Sequence, residues 1–181
     1  YKRRSHEIVN LKYCPVQPEE FDKIVEEVRE LHKKYQLKIY NEKTLKGYLR
    51  HLVLRKSFSK GSILVTFVLN SKTVGEKLVD LAKELKDKFP QITGITVNFN
   101  PSNTNVIFGE ESKTIIGESA IIERIGEKTF HISDRSFFQV NPSAAKVMFD
   151  VIYNMIKDKP GSKKLLDVYS GSCPMSIYVS E

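Results

Sequence analysis

At 181 residues, 40% of them hydrophobic, the chain can fill one core, or one domain and part of a second. No apolar run approaches the ~20 residues of a membrane helix, and Tyr1-Lys2-Arg3-Arg4 does not lead into a signal peptide, so a soluble, cytoplasmic, monomeric protein is expected. Two distant cysteines, Cys14 and Cys173, rule out a disulfide framework, and the net charge of +7 sits entirely in residues 1 to 60, with 15 Lys/Arg against 8 Asp/Glu. Such a bias suits a surface that tracks phosphates, although solubility alone also accounts for it.

The chain opens with a predicted strand from His6 to Leu11. Phe21, Ile24, Val25, Val28, Leu31 and Tyr35 then recur at helical spacing over residues 19 to 35, with Pro18 suited to the first turn. Residues 48 to 56 alternate, placing Tyr48, Arg50, Leu52 and Leu54 on one face. The turn Ser57 to Gly61 returns into the apolar strand Ile63 to Leu69. A helix over 73 to 89 turns Val74, Leu78, Leu81, Leu85 and Phe89 inward and stops before Pro90, and a strand runs from Gly94 to Phe99. The order β-α-β-β-α-β predicts a ferredoxin-like α+β domain with an antiparallel sheet.

A β extension follows, with strands expected at Asn105 to Phe108, Thr114 to Ile116, Ala120 to Ile125 and Thr129 to Ile132. Asn141 caps and Pro142 opens a third helix, whose Ala145, Met148, Ile152 and Met155 share a face. After Pro160-Gly161 the apolar run Leu165-Leu166-Asp167-Val168-Tyr169 predicts a parallel strand, and Ser170-Gly171-Ser172 a tight turn: the start of a Rossmann-like α/β domain. Residues 1–132 are thus expected to form a central α+β domain and 133–181 the beginning of a second one.

Ser136-Phe137-Phe138-Gln139-Val140-Asn141-Pro142, together with Asp167-Val168-Tyr169-Ser170-Gly171, resembles the RNA uracil-C5 methyltransferase family. That family carries a Phe-Phe-Gln-x-Asn segment before its methyltransferase domain and an Asp-x-Tyr-x-Gly turn after the first strand of it. Ser5-His6, Cys14-Pro15-Val16-Gln17, the run Gly47 to Arg55, Asn98, Thr104-Asn105-Val106 and Gly109 match in the same order. The resemblance covers nearly the whole chain, and implies a fragment of such an enzyme lacking both termini.

The resemblance implies S-adenosylmethionine as cofactor, with Gln139, Tyr169 and Gly171 at its contact positions. Read without the resemblance, Gln139 caps a loop and Tyr169 packs. A strand ending in a Gly turn lets backbone N–H groups approach a ligand. The family places a second glycine two residues after the first, then Thr or Asn; here Cys173 and Pro174 stand there, and both act against a cofactor cradle. The partner implied is structured RNA, ribosomal or transfer. Arg50, Arg55, Phe137 and Lys46 are the candidate RNA contacts, with Lys2, Arg3, Arg4, Lys43, Lys56 and Lys60 as further phosphate candidates. Arg50, held among apolar neighbours, needs an anionic partner, and a carboxylate, a phosphate or a flipped base would serve. Phe138 stacks on a base or is buried at the domain junction. In some family members a cysteine in a Cys-Pro context is the fourth ligand of an iron–sulfur cluster, which makes Cys14 a candidate for a 4Fe-4S site in a longer protein; the other reading is a free thiol.

By the same resemblance, a cysteine thiolate adds to uracil carbon 6, carbon 5 takes the methyl group, and a carboxylate removes the carbon 5 proton. Both groups are expected beyond residue 181, so the chain alone is expected to be inactive. Two rivals are a stand-alone RNA-binding module with a degenerate methyltransferase end, and a methyltransferase acting on an exocyclic nitrogen.

Overall fold

The computed structural model describes residues 2–5, 9–158 and 164–180. Ten elements follow in order: α1 (Glu19–Lys34), β1 (Leu49–Lys56), β2 (Ile63–Leu69), α2 (Glu76–Lys88), β3 (Ile92–Phe99), β4 (Glu111–Gly117), β5 (Ala120–Ile125), β6 (Lys128–Ser133), α3 (Pro142–Ile156) and α4 (Pro174–Val179). The first predicted strand falls partly outside the described residues, at 6–8, and residues 9–11 carry no strand.

A four-stranded sheet has the order β1-β2-β3-β4. It is mixed: β1 and β4 are antiparallel to their neighbours, whereas β2 and β3 run parallel. The antiparallel ferredoxin-like sheet expected from the element order is therefore corrected. A strand–helix–strand crossover returns its second strand parallel to the first. Here β3 docks directly against β2, where a ferredoxin-like order would insert the first strand between them.

β2 is buried along its full length, and its two faces feed two cores. On the helix side Ile63, Val65, Phe67 and Leu69 pack with Ile24, Val28 and Leu31 of α1 and Leu78, Leu81 and Leu85 of α2. The periodic apolar positions of both helices thus face the sheet as the spacing requires. On the other side Leu64 joins Ile121, Ile125, Phe130, Ile132, Phe138, Ala145 and Phe149 in a second core. This core draws on residues both before and after position 132. The strands β5 and β6 form a separate two-stranded hairpin.

Polar side chains organise the sheet face turned away from α1 and α2. Thr66 and Thr96, on adjacent strands, share a hydrogen bond of 2.8 Å, and both are buried. Asn98, fully buried, accepts from the Gly109 N–H at 2.7 Å and donates from Nδ2 to the carbonyls of Gly109 and Glu111 and to Ser112 Oγ. A Cβ on Gly109 would lie 1.9 Å from the Phe99 carbonyl oxygen, so this close approach needs glycine. The strand predicted at 105–108 is instead a loop, because Asn100 Nδ2 takes the carbonyls of Val106 and Ile107 that a ladder would have used.

Two further expectations change. α3 begins as predicted, with Asn141 Oδ1 accepting from the Ala144 N–H at 3.0 Å. It buries Ala145 and Phe149, however, leaving Met148 and Met155 exposed. The predicted parallel strand at 165–169 is not formed: Leu166 is 85% and Tyr169 100% exposed. A parallel strand is stable only with neighbours and covered faces, and none of the six strands lies beside this run. The Rossmann-like start is thus present as sequence without its sheet. No helix among the described residues is long and apolar enough to cross a membrane.

Replacing Asn98 with Ala removes one acceptor and three donor contacts from a dry site. A loss of about 2–4 kcal/mol is expected. Urea denaturation checks it: the midpoint should fall while the dependence on denaturant stays unchanged.

Candidate cofactor and nucleic-acid interface

The two segments that resembled a cofactor site meet in space. Ser172 Oγ donates to the Phe137 carbonyl at 2.6 Å, and a Cβ on Gly171 would find only the Phe137 ring, at 3.9 Å. The Gly171 turn therefore rests on the segment carrying Gln139, which is half-buried. Phe138 is buried and tilts against Phe130 with ring centroids 5.4 Å apart, which decides for its packing reading. Tyr169 is fully exposed, so it does not pack.

The turn takes its shape from three left-handed residues: Tyr169 (φ 64°), Gly171 (φ 55°) and Cys173 (φ 56°). Position 173 thus adopts the conformation for which glycine is suited, although a cysteine occupies it. The turn is closed by the Cys173 N–H donating to the Ser170 carbonyl, and Asp167 accepts from Ser176 of α4. An S-adenosylmethionine site fits these residues in part: the approach to Gly171 is open and the Tyr169 ring is free, whereas Pro174 supplies no N–H.

The four candidate RNA contacts divide into two kinds. Lys46 is exposed and Phe137 is 66% exposed. Arg50 and Arg55 are engaged in the fold. Arg50 Nη1 donates to the carbonyls of Asn100 (2.9 Å) and Ser102 (2.6 Å), and Nη2 to that of Thr104. Its guanidinium lies over the Tyr40 ring at 4.9 Å, and its buried Nε has no hydrogen-bond partner among the described residues. Among the described residues no carboxylate pairs with the guanidinium, which thus meets three neutral carbonyls. They are reached because the strand register shifts between Leu49 and His51, which breaks the simple alternation assumed for Arg50 and Leu52.

Arg55 Nε donates to the Asp134 carbonyl at 3.2 Å, while Asp134 Oδ2 accepts from Ser112 Oγ at 2.5 Å. Burial lowers the Arg55 pKa, with the Asp134 charge opposing. His51, half-buried next to Arg50, is also pushed down, first by burial and then by that cation.

Cys14 is half-buried and its N–H donates weakly to Asp22 at 3.5 Å. No group of three or more His, Cys, Asp or Glu among the described residues could hold a metal ion. Sequence reasoning missed Glu123, a carboxylate 1% exposed that accepts from the N–H groups of Phe58 (2.6 Å), Ser59 (2.9 Å) and Arg124 (2.9 Å). A glutamate inside an otherwise alternating strand was its signal.

No family model matches the chain. Relatives match it from end to end. It is 34% identical over 181 residues to an uncharacterized RNA methyltransferase of Bacillus cereus and 35% identical over 181 residues to one of Halalkalibacterium halodurans, covering 39% of each. A third, from Staphylococcus epidermidis, is 34% identical over 180 residues. The chain thus spans about two-fifths of the length of these relatives. Its fold matches that of Pyrococcus abyssi tRNA (uracil-54, C5)-methyltransferase in complex with S-adenosyl-L-homocysteine, with a TM-score of 0.77 at 24% identity, over 96% of this chain and 41% of that one.

Replacing Arg50 with Ala frees three carbonyls and empties the space beneath Tyr40. The melting temperature is expected to fall by several degrees, about 2–3 kcal/mol, and Lys should rescue little because it lacks the fork. In Cys173→Gly, relief of about 1–2 kcal/mol of left-handed strain is partly offset by about 0.5–1 kcal/mol of backbone entropy. A small rise in the urea midpoint is the expected net effect.

Proposed function

We propose that the chain is the RNA-binding and cofactor-entry part of an enzyme methylating carbon 5 of a uridine in ribosomal or transfer RNA, a reading supported by its end-to-end similarity to RNA methyltransferases. The observation that carries this reading is the contact of Ser172 Oγ with the Phe137 carbonyl, which sets the Gln139 segment beside the Gly171 turn. In this reading residues 1–132 supply the RNA-binding domain and 133–181 begin the methyltransferase domain. The protein works as a monomer in the cytoplasm.

Gln139, Tyr169 and Gly171 would hold S-adenosylmethionine, which would supply an electrophilic methyl group there. Carbon 5 of uracil is too weak a nucleophile to take it unaided, so a cysteine thiolate adding to carbon 6 and a carboxylate base are required, both outside this chain. Lys46 and Phe137 meet the RNA directly, the first through phosphate and the second by stacking. Arg50 and Arg55 act through the loops they hold, at 100–104 and 134–138, as well as by their charge. One thiolate cannot hold a 4Fe-4S cluster, so Cys14 would take that role only with three further ligands.

A second reading, an RNA-binding module that does not use the cofactor, is favoured by the exposed Leu166 and by Pro174 at the start of α4. Calorimetry with S-adenosylhomocysteine separates the two: micromolar binding that weakens in Gln139→Ala supports the first, and no heat supports the second. For RNA, affinity for a folded transcript should fall at least tenfold between 50 and 200 mM salt, by release of counterions. Filter binding that shows no salt dependence would overturn the phosphate-tracking surface.

A further inference from the structure

The turn joining β1 to β2 is Lys56-Ser57-Phe58-Ser59-Lys60. Such turns are ordinarily polar, yet this one carries at its tip a phenylalanine that is 53% exposed. It is also held far more firmly than an idle turn needs. The buried Glu123 carboxylate takes the N–H groups of Phe58 and Ser59, Ser57 Oγ accepts from the Lys60 N–H at 3.0 Å, and Ser59 Oγ accepts from the Arg124 N–H at 3.0 Å. A charge buried to fix an exposed aromatic ring preorganises that ring.

The ring forms one wall of a cleft of about 240 Å³ that also meets Ser59, Arg124, Pro142, Ser143 and Lys146. The volume is below the ~300 Å³ at which pockets for drug-sized ligands begin, and suits one planar ring rather than a whole cofactor. Cations surround it. Lys56 lies 5.7 Å from the centre of the Phe58 ring, and Lys60 is exposed. Arg124 and Lys146 form exposed ion pairs with Glu127 (3.5 Å) and Asp150 (2.7 Å), and Lys146 also lies 6.0 Å from the centre of the Tyr178 ring. Exposed pairs of this kind contribute little, so a phosphate can replace the carboxylate.

We propose that the Phe58 turn and its cleft are a nucleotide-binding subsite for single-stranded RNA, with one base stacked on Phe58 and its flanking phosphates on Lys60, Arg124 and Lys146. The proposal rests on the RNA-binding reading above and adds a site to it on a different edge of the molecule from Arg50 and Lys46. Stacking on an aromatic face is tolerant of base identity, so the subsite grips the strand without choosing the uridine.

The chain has no tryptophan, so F58W introduces a sole tryptophan at the tip, whose emission can be excited apart from that of the tyrosines. Titration with oligouridylate should quench its emission saturably, and polyphosphate, which has charge but no bases, should not. F58A and F58L should each weaken oligouridylate binding about fivefold or more, the low end for one base–aromatic stack, with F58W binding like the wild type. F58L retains apolar bulk and keeps the test valid if F58A melts early. Wild-type affinity in F58L, or equal quenching by polyphosphate, overturns the subsite while leaving RNA binding intact. A wild-type chain that does not bind oligouridylate or a folded transcript overturns the RNA-binding reading itself.

Discussion

Everything in this structure is arranged around β2, a strand that has no solvent face. Its seven residues are buried, one side against α1 and α2 and the other against the core built from β5, β6 and α3. A strand buried on both sides must read as a continuous apolar run, as Ile63 to Leu69 does, with Thr66 as its one polar side chain. Thr66 is tolerated because Thr96 on β3 satisfies it, and the parallel register of β2 and β3 is what sets the two side by side. The parallel pairing in turn follows from the α2 crossover.

The same dry face explains where the positive charge goes. Arg55 and Arg50 stand at opposite ends of β1, and both spend guanidinium donors on carbonyls of loops that would otherwise be left without partners: Asp134 in one case, Asn100, Ser102 and Thr104 in the other. Lys56 pairs with Glu20 of α1, and Lys34 and Lys88 share Glu84 across the two helices. A charge count therefore overstates the surface free to meet phosphate. What distinguishes Lys46, Lys60 and Phe58 is exposure at the tip of a fixed turn, a property of packing that composition does not carry.

Much of the fold was legible because it depends on short-range periodicity. α1, β2, β5, β6 and the capped start of α3 lie within a few residues of their predicted bounds, and α2 starts three residues late, after an N-cap at Gly75 whose N–H donates to the Tyr48 hydroxyl. The rest depended on partners distant in sequence. Whether 105–108 pairs as a strand was decided by Asn100, whose side chain took the carbonyls first. Whether β3 paired with β2 or with another strand could not be read from either strand. At the site, the Gln139 segment and the Gly171 turn lie far apart in sequence and meet only in the fold, whereas Glu123 showed in the sequence only as a glutamate at an inward position of β5, because its three donors are backbone N–H groups, which every sequence has.

The run Leu165 to Tyr169 shows the limit of propensity most directly. Its composition suits a buried parallel strand, and the turn after it has already taken three left-handed conformations and closed its own hydrogen bond. Local chemistry suffices for the turn, since Ser170, Gly171 and Cys173 satisfy one another within five residues. The strand needs donors and acceptors from two neighbours and apolar cover on both faces, none of which the six strands here provide. Val147, Val151 and Met155 on α3 are exposed in the same way. Helices carry their hydrogen bonds within themselves, so α3 forms with that face open, whereas the run 165–169 has no strand to pair with among the described residues.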